Sequence, residues 1–147
     1  MKSENQVVLE FPSRSSNEAF ARVAAAGFAM QLDPTLEELG DIKTAVSEAV
    51  TNAIVHGYPE RFGRVVMKLR IKEGNILEIV VRDWGVGIAD VEQARRPMFT
   101  TGNDERSGMG FTIMESFMDT LRVRSTPQKG TTVTMRKRIS TRLGERK

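Results

Sequence analysis

Ser47-Glu48-Ala49-Val50-Thr51-Asn52-Ala53-Ile54-Val55-His56-Gly57 is the stretch on which the fold turns. Its apolar residues continue a stripe begun by Leu36, Leu39, Ile42 and Val46, at helical spacing throughout. One helix therefore runs from Asp33-Pro34 to Gly57, with Asp33 as N-cap and Pro34 as its first residue. Gly57, followed by Tyr58-Pro59, stops it. Glu48, Asn52 and His56 stand at i, i+4 and i+8, about 200° to 280° round from Val46. That polar stripe points away from the apolar one, and it suits either a hydrated surface or the wall of a cleft.

Upstream, residues 6–11 read as a strand closed by Pro12. Ser15 or Ser16 caps a helix from Glu18 to about Leu32, with Phe20, Val23, Ala24, Gly27, Phe28 and Gln31 as its largely apolar face. Downstream the period changes. Residues 64–72 and 76–82 are rich in β-branched side chains and flank Glu73-Gly74-Asn75, a hairpin signal. Residues 91–95 form a short helix stopped near Pro97, and residues 98–107 read as a mobile loop. A helix over residues 110–118 follows, then a hairpin pairing 120–125 with 131–138. This order gives an α/β two-layer sandwich, a mostly antiparallel mixed sheet with helices on one face. Residues 1–138 make one domain, and 139–147 a basic tail.

Composition narrows the chemistry. At 147 residues a single core buries roughly 70% of the surface of the unfolded chain, so no disulfide or metal staple is needed. There is no cysteine and one histidine, which leaves carboxylates, amides, hydroxyls and glycines as the reactive inventory. The longest apolar run, residues 23–30, is too short to span a bilayer, and the first six residues hold no apolar leader. A cytoplasmic protein without membrane contact is expected. The net charge is +3, yet residues 136–147 alone carry +5, which leaves −2 for residues 1–135. The basicity reads as a tail with no aromatics beside it, so direct nucleic-acid binding is not expected.

Three further motifs hold open backbone. Asp83-Trp84-Gly85-Val86-Gly87 places a carboxylate at a strand end before two glycines. Ser107-Gly108-Met109-Gly110-Phe111 opens a helix, where N–H groups attract phosphate. Gly130-Thr131 begins the last strand. Each alone is equally an ordinary turn, and Trp84 inside its turn suits a lid-packing or partner contact, or nothing at all. The phosphate-loop pattern G-x-x-x-x-G-K-[ST] and the kinase H-R-D motif are absent.

Taken in order, Glu48-x-x-x-Asn52, D-x-G-x-G, G-x-G and Gly-Thr resemble the Bergerat-type ATP-binding fold of the gyrase, Hsp90, histidine-kinase and MutL superfamily. Leu32-Asp33-Pro34-Thr35, residues 47–54, His56-Gly57-Tyr58, Phe99-Thr100-Thr101 and residues 105–115 are similar to the sporulation anti-sigma-F factors. These are serine-protein kinases that also sequester an RNA polymerase sigma factor. The similarity covers most of residues 7–138 and departs in the basic tail, the edge strands and the short Gly102-Asn103-Asp104 segment.

The resemblance implies ATP and Mg2+ as cofactors and a role for each motif residue. Glu48 is the base for an attacking hydroxyl, and Asn52 supplies an oxygen to Mg2+. Asp83 accepts from the adenine amino group, Gly85 and Gly87 keep the turn clear of the purine, and Thr131 supports the contact. Gly108 and Gly110 offer N–H donors to the phosphates, while Thr101 and Arg106 close over them. His56, at a helix end, and Met109, Met114, Phe117 and Met118 read as structural or packing residues. Arg22 is either half of an exposed ion pair with Glu18 or, as the family implies, an anchor for protein partners. The implied partners are a sporulation sigma factor, an anti-anti-sigma factor phosphorylated on serine, and a second copy of the chain. A general-stress-type anti-sigma kinase and a nonenzymatic nucleotide-binding partner-switching module are the alternatives. An orphan histidine-kinase domain is disfavoured, since the sole histidine lies inside the nucleotide helix.

Overall fold

In Arg64–Lys72 (β2) and Ile76–Asp83 (β3) alternate side chains are apolar, and Val65, Met67, Leu69, Leu77, Ile79 and Val81 are buried. Strands send successive side chains to opposite faces, so this pattern builds a core on one face only. Gly74 and Asn75 turn the hairpin with φ of 89° and 61°, which glycine adopts freely and asparagine tolerates. The computed structural model describes residues 3–96 and 109–140. Among them Ser3–Pro12 (β1), Thr120–Thr126 (β4) and Gly130–Arg138 (β5) complete a sheet of order β1-β2-β3-β5-β4. All four ladders are antiparallel.

Ser16–Ala29 (α1), Leu36–Thr51 (α2), Val91–Ala94 (α3) and Gly110–Phe117 (α4) make the second layer. Ile42, Val46 and Val50 of α2 and Met114 of α4 are buried with Met67, Ile79 and Met135 of the sheet. Each such side chain contributes about 1.5–3 kcal/mol of transfer free energy before entropy is counted. The expected α/β two-layer sandwich is the architecture formed. Among the described residues no helix is long and apolar enough to cross a membrane.

Three local expectations are corrected. The N-cap of α2 is Thr35, not Asp33, because Thr35 and Glu38 form a capping box. The Thr35 hydroxyl accepts from Glu38 N–H at 3.0 Å, and Glu38 Oε1 accepts from Thr35 N–H at 2.9 Å. Two N–H groups are satisfied together, whereas Asp33 sits at φ 53° ending a 3-10 turn at Met30–Leu32. The α-helical ladder also stops at Thr51, and a π-helical turn, Asn52–Gly57, completes the run. The buried face of α1 is the third correction. Ala21, Ala25, Phe28, Ala29 and Leu32 face the core, while Phe20 and Val23 are 60% and 62% exposed. This helix is apolar on both sides, so periodicity does not choose a face. Packing does: the alanine side lets α1 approach α2 closely.

Ile139 is buried just beyond β5, and its N–H donates to Asn75 O at 2.9 Å. Next to it Ser140 N–H donates to Glu38 Oε2 at 2.9 Å. The expected loop at residues 98–107 and residues 141–147 of the basic segment lie outside the described residues.

Burial pushes the Glu38 carboxyl up, but hydrogen bonds from Thr35 and Ser140 outweigh it and hold its pKa below the usual value. A depressed carboxyl pKa gives stability that is present above the unfolded value, about 4.3, and lost as pH falls through the folded one. Glu38→Ala should therefore cost about 1 kcal/mol near neutral pH. The gap to the parent should narrow below about pH 4, and urea denaturation across that range checks both.

Candidate functional site

At the end of β3 the chain must turn while keeping a carboxylate inside. Asp83 is only 5% exposed, and its Oδ1 accepts from Gly85 N–H at 2.9 Å. Burial pushes its pKa up, partly offset by the backbone N–H groups of Gly85 and Thr131. Since the folded pKa is raised, the stability Asp83 contributes is full below its unfolded value and lost as pH rises through the folded one. A ligand donor facing the ionised carboxylate relieves that cost. A carboxylate offers roughly four acceptor sites, so two N–H partners leave capacity for such a donor.

Asp83 lines a cavity of about 360 Å³. That is a ligand-sized volume. One wall is Ala49, Asn52, Ala53, His56 and Gly57, from the last turns of α2 and the π-helical turn. Opposite stand Val81 and Asp83 of β3 with Thr131 and Val133 of β5, brought side by side by the ladder register Val81↔Val133 and Asp83↔Thr131. Ile88, Gln93 and Phe111 close the sides. The pocket is apolar except for a few convergent polar groups.

The loop over residues 84–90 is held from two directions. Gln128 N–H donates to Val86 O at 2.7 Å, and Ser125 Oγ accepts from Ile88 N–H at 2.7 Å. The Thr131 hydroxyl shares a 2.8 Å hydrogen bond with the same Ser125 Oγ. From the other side Val86 N–H donates to Gly57 O at 2.9 Å. Tyr58, buried, donates through its hydroxyl to Arg64 O and accepts from Trp84 N–H, both at 2.7 Å.

Beside the cavity Glu48 and Asn52 converge on the first turn of α4. A Cβ built on Gly110 would stand 3.1 Å from Asn52 Nδ2 and 3.4 Å from Glu48 Oε1. Any side chain here would have to displace Asn52 or Glu48 by a few tenths of an ångström. A carboxylate, an amide and a helix N-terminus so arranged provide a base, a neutral oxygen ligand and anion-attracting N–H groups.

The motif residues thus separate. Asn52, Asp83, Gly87 and Thr131 line the cavity, while Glu48 and Gly110 stand together against Asn52 without lining it. Gly85 does not line it. Its glycine is demanded by packing, since a Cβ there would lie 1.9 Å from Gly57 O. Gly87 needs its φ of 76° and the close approach of Thr126 O. Thr101, Arg106 and Gly108 lie outside the described residues. Arg22 stands apart, 3.5 Å from Glu18 and 3.4 Å from Ser47 Oγ, so the ion pair forms and reaches the residue before Glu48. His56, read from sequence as structural, lines the cavity, and Tyr58 and Val133 carried no assignment. Val133 was findable, lying two residues beyond Thr131 on the same strand face.

The family described as "Histidine kinase-like ATPase domain" matches residues 11–137, which defines the class of fold and site. The anti-sigma F factor of Thermoanaerobacter sp. (strain X514) is 56% identical over 140 residues, spanning 95% of this chain and 97% of that protein. That of Geobacillus kaustophilus (strain HTA426) is 56% identical over 137 residues, 92% of this chain and 94% of that one. The chain belongs to the anti-sigma F factor family within that ATPase-domain class. Its fold is shared with the RsbU and RsbW domains of Rv1364c from Mycobacterium tuberculosis. There the TM-score is 0.67 at 18% identity, over 94% of this chain and 33% of that one. The Erythrobacter litoralis EL346 blue-light activated histidine kinase aligns with a TM-score of 0.58 at 22% identity, over 80% and 40% of the two chains.

Tyr58→Phe keeps the ring and removes both hydrogen bonds, leaving Trp84 N–H without its partner. The expected loss is about 1–3 kcal/mol in chemical denaturation. Trp84 is the sole tryptophan, so its fluorescence should also shift as the loop is released.

Proposed function

We propose that this chain is an ATP-dependent serine-protein kinase and anti-sigma factor. It sequesters a sporulation sigma factor and phosphorylates that factor's anti-anti-sigma antagonist on serine. The observation that carries the reading is the convergence of Glu48, Asn52 and Gly110 beside a cavity that Asn52 and the buried Asp83 both line. Such a cavity suits a ligand that carries both an amino-bearing ring and anionic groups.

The residues fit ATP with Mg2+. Asp83 would accept from the adenine amino group, a directional contact, while Val81 and Val133 offer apolar walls to the ring. Thr131 supports Asp83 through its backbone N–H. Asn52 would hold Mg2+ through its amide oxygen. Phosphate and water oxygens would complete the ion's shell. Gly110, and by extension Gly108, would present N–H groups to the phosphates, with Thr101 and Arg106 closing over them. Bound Mg-ATP supplies the transferable phosphoryl group and the cation that neutralises its charge. Glu48 would take the proton of the substrate serine hydroxyl and orient it. Gly85 and Gly87 set the loop that holds Asp83 in place.

Arg22 would anchor protein partners. Its guanidinium is part-exposed and reaches Ser47, next to the proposed base, so a partner carboxylate there lies beside the cleft. A homodimer accounts for the outer side of α1. Phe20, Val23, Gly27 and Met30 form one stripe at helical spacing, and Phe20, Val23 and Met30 are all more than half exposed. Single exposed apolar residues are ordinary, but a contiguous stripe marks an interface. The proposed location is the cytoplasm.

Incubation with Mg-ATP and the anti-anti-sigma protein, read by mass spectrometry, should yield phosphoserine. Glu48→Gln should keep nucleotide binding and lower transfer by about 10²- to 10⁴-fold. Transfer at the parental rate would remove Glu48 from the role of base. In a second test Phe20→Glu should convert the dimer to a monomer by light scattering while leaving ATP affinity within about twofold. A variant that remains dimeric would move the interface elsewhere.

A further inference from the structure

The sheet face turned away from the helices is basic in a way no linear count reveals. Cross-strand register lines its side chains in rows. One row reads Gln6, Arg70, Glu78, Arg136, Thr120. The next is Val8, Lys68, Val80, Thr134, Arg122, and a third is Glu10, Val66, Arg82, Thr132, Arg124. Segments 55 residues apart in sequence, such as Lys68 and Arg122–Arg124, thus meet on one surface. The acidic residues that balance them in the linear count sit mostly elsewhere.

Several of these cations are held in place. Glu78, 3% exposed, bridges Arg70 Nη1 at 3.2 Å and Arg136 Nε at 2.8 Å. Arg64 and Arg82 lie over the Trp84 ring, 4.4 and 4.5 Å from its centroid, which gives that tryptophan a task. Arg122 and Arg124 are exposed on the edge strand β4. Like charges on one face repel and tend to destabilise a sheet. A bound polyanion offsets that repulsion.

We infer that this face binds the phosphate backbone of nucleic acid, without regard to sequence. Arginine outnumbers lysine on it, and the guanidinium fork meets phosphate oxygens in pairs. Thr132 and Thr134 interleave hydroxyl groups between the cations. By strand spacing the sheet is about 20 Å across, room for several charges of a backbone that carries one about every 3.4 Å per strand. An acidic protein partner fits less well. Protein interfaces have an apolar, charge-depleted centre, and among the described residues Val8, at the edge, is the one large apolar side chain exposed on this face. Nucleic-acid interfaces are polar and strongly positive. The expectation that nucleic acid plays no direct part rests on charge counted along the chain and on the lack of aromatics beside the tail, neither of which sees this segregation.

The test is fluorescence anisotropy of the full chain with a labelled DNA duplex of about 20 base pairs at low salt. Binding should weaken linearly in log–log form as salt rises. The triple variant Lys68→Gln, Arg122→Gln, Arg124→Gln touches neither the cavity nor the α1 stripe. It should keep its circular dichroism and ATP affinity, weaken DNA binding at least about tenfold and flatten the salt slope by roughly two to three units. Absence of DNA binding by the parent overturns the inference, as does equal binding by the variant. Loss of binding when Arg142, Arg146 and Lys147 are changed to Ser, with the triple variant unaffected, would assign it to the tail and overturn it too. Poly-L-glutamate competing as well as DNA at equal charge would give the face to an acidic protein instead.

Discussion

Gly57 and Gly85 touch backbone to backbone, so closely that a Cβ on Gly85 would lie 1.9 Å from the Gly57 carbonyl oxygen. This contact locks the end of the helix layer to the end of β3. The Val86 N–H to Gly57 O hydrogen bond and the two bonds of the Tyr58 hydroxyl brace it on either side. A Cβ on Gly57 would itself stand 2.9 Å from Asp83 Cγ. Any side chain at this seam forces the layers apart, and Asp83 then loses the burial that shapes its chemistry. Cavity walls, carboxylate and loop all depend on the seam.

The π-helical turn at Asn52–Gly57 follows from the same demand. A wider turn is rarer and less well bonded than an α-turn, and such turns concentrate at functional sites. Here it carries the chain from Asn52, on the cavity wall, to Gly57, at the seam, and still buries Ala53 and Ile54 in the core. The cost in backbone geometry is offset by that burial, while the cost of a buried Asp83 charge is only partly offset by two backbone N–H groups, so its pKa stays raised. Strained and desolvated groups of this kind gather at sites that must recognise charge.

A two-layer sandwich leaves two surfaces uncovered, the back of α1 and the outer face of the sheet. They differ in kind. The back of α1 is apolar because small residues took its other side into the core. The sheet face is cationic because every second residue of five strands must point outward, and from β2 to β4 most of those positions hold arginine, lysine or threonine. The buried Glu78 shows how such a face is made compatible with folding: one carboxylate, satisfied by two guanidinium groups, screens their repulsion within the sheet.

Local information determined much of this protein. The strands of both hairpins, the Gly74-Asn75 turn, the helix carrying Glu48 and Asn52, and the helix start at Gly110 follow from periodicity and turn chemistry, which act between neighbours in sequence. The ordered motifs also pointed to the family. Tertiary structure alone decided which side of α1 is buried, because that depends on how closely alanine lets two helices approach. It moved the N-cap of α2 to Thr35, where a reciprocal pair of hydrogen bonds outcompeted a nearby aspartate. It gave Gly85 to the seam with Gly57, and it placed His56, Tyr58 and Val133 around the site. It also gathered cations from four strands onto one face. All these outcomes rest on contacts between residues distant in sequence, whose distances and register exist only once the chain has folded.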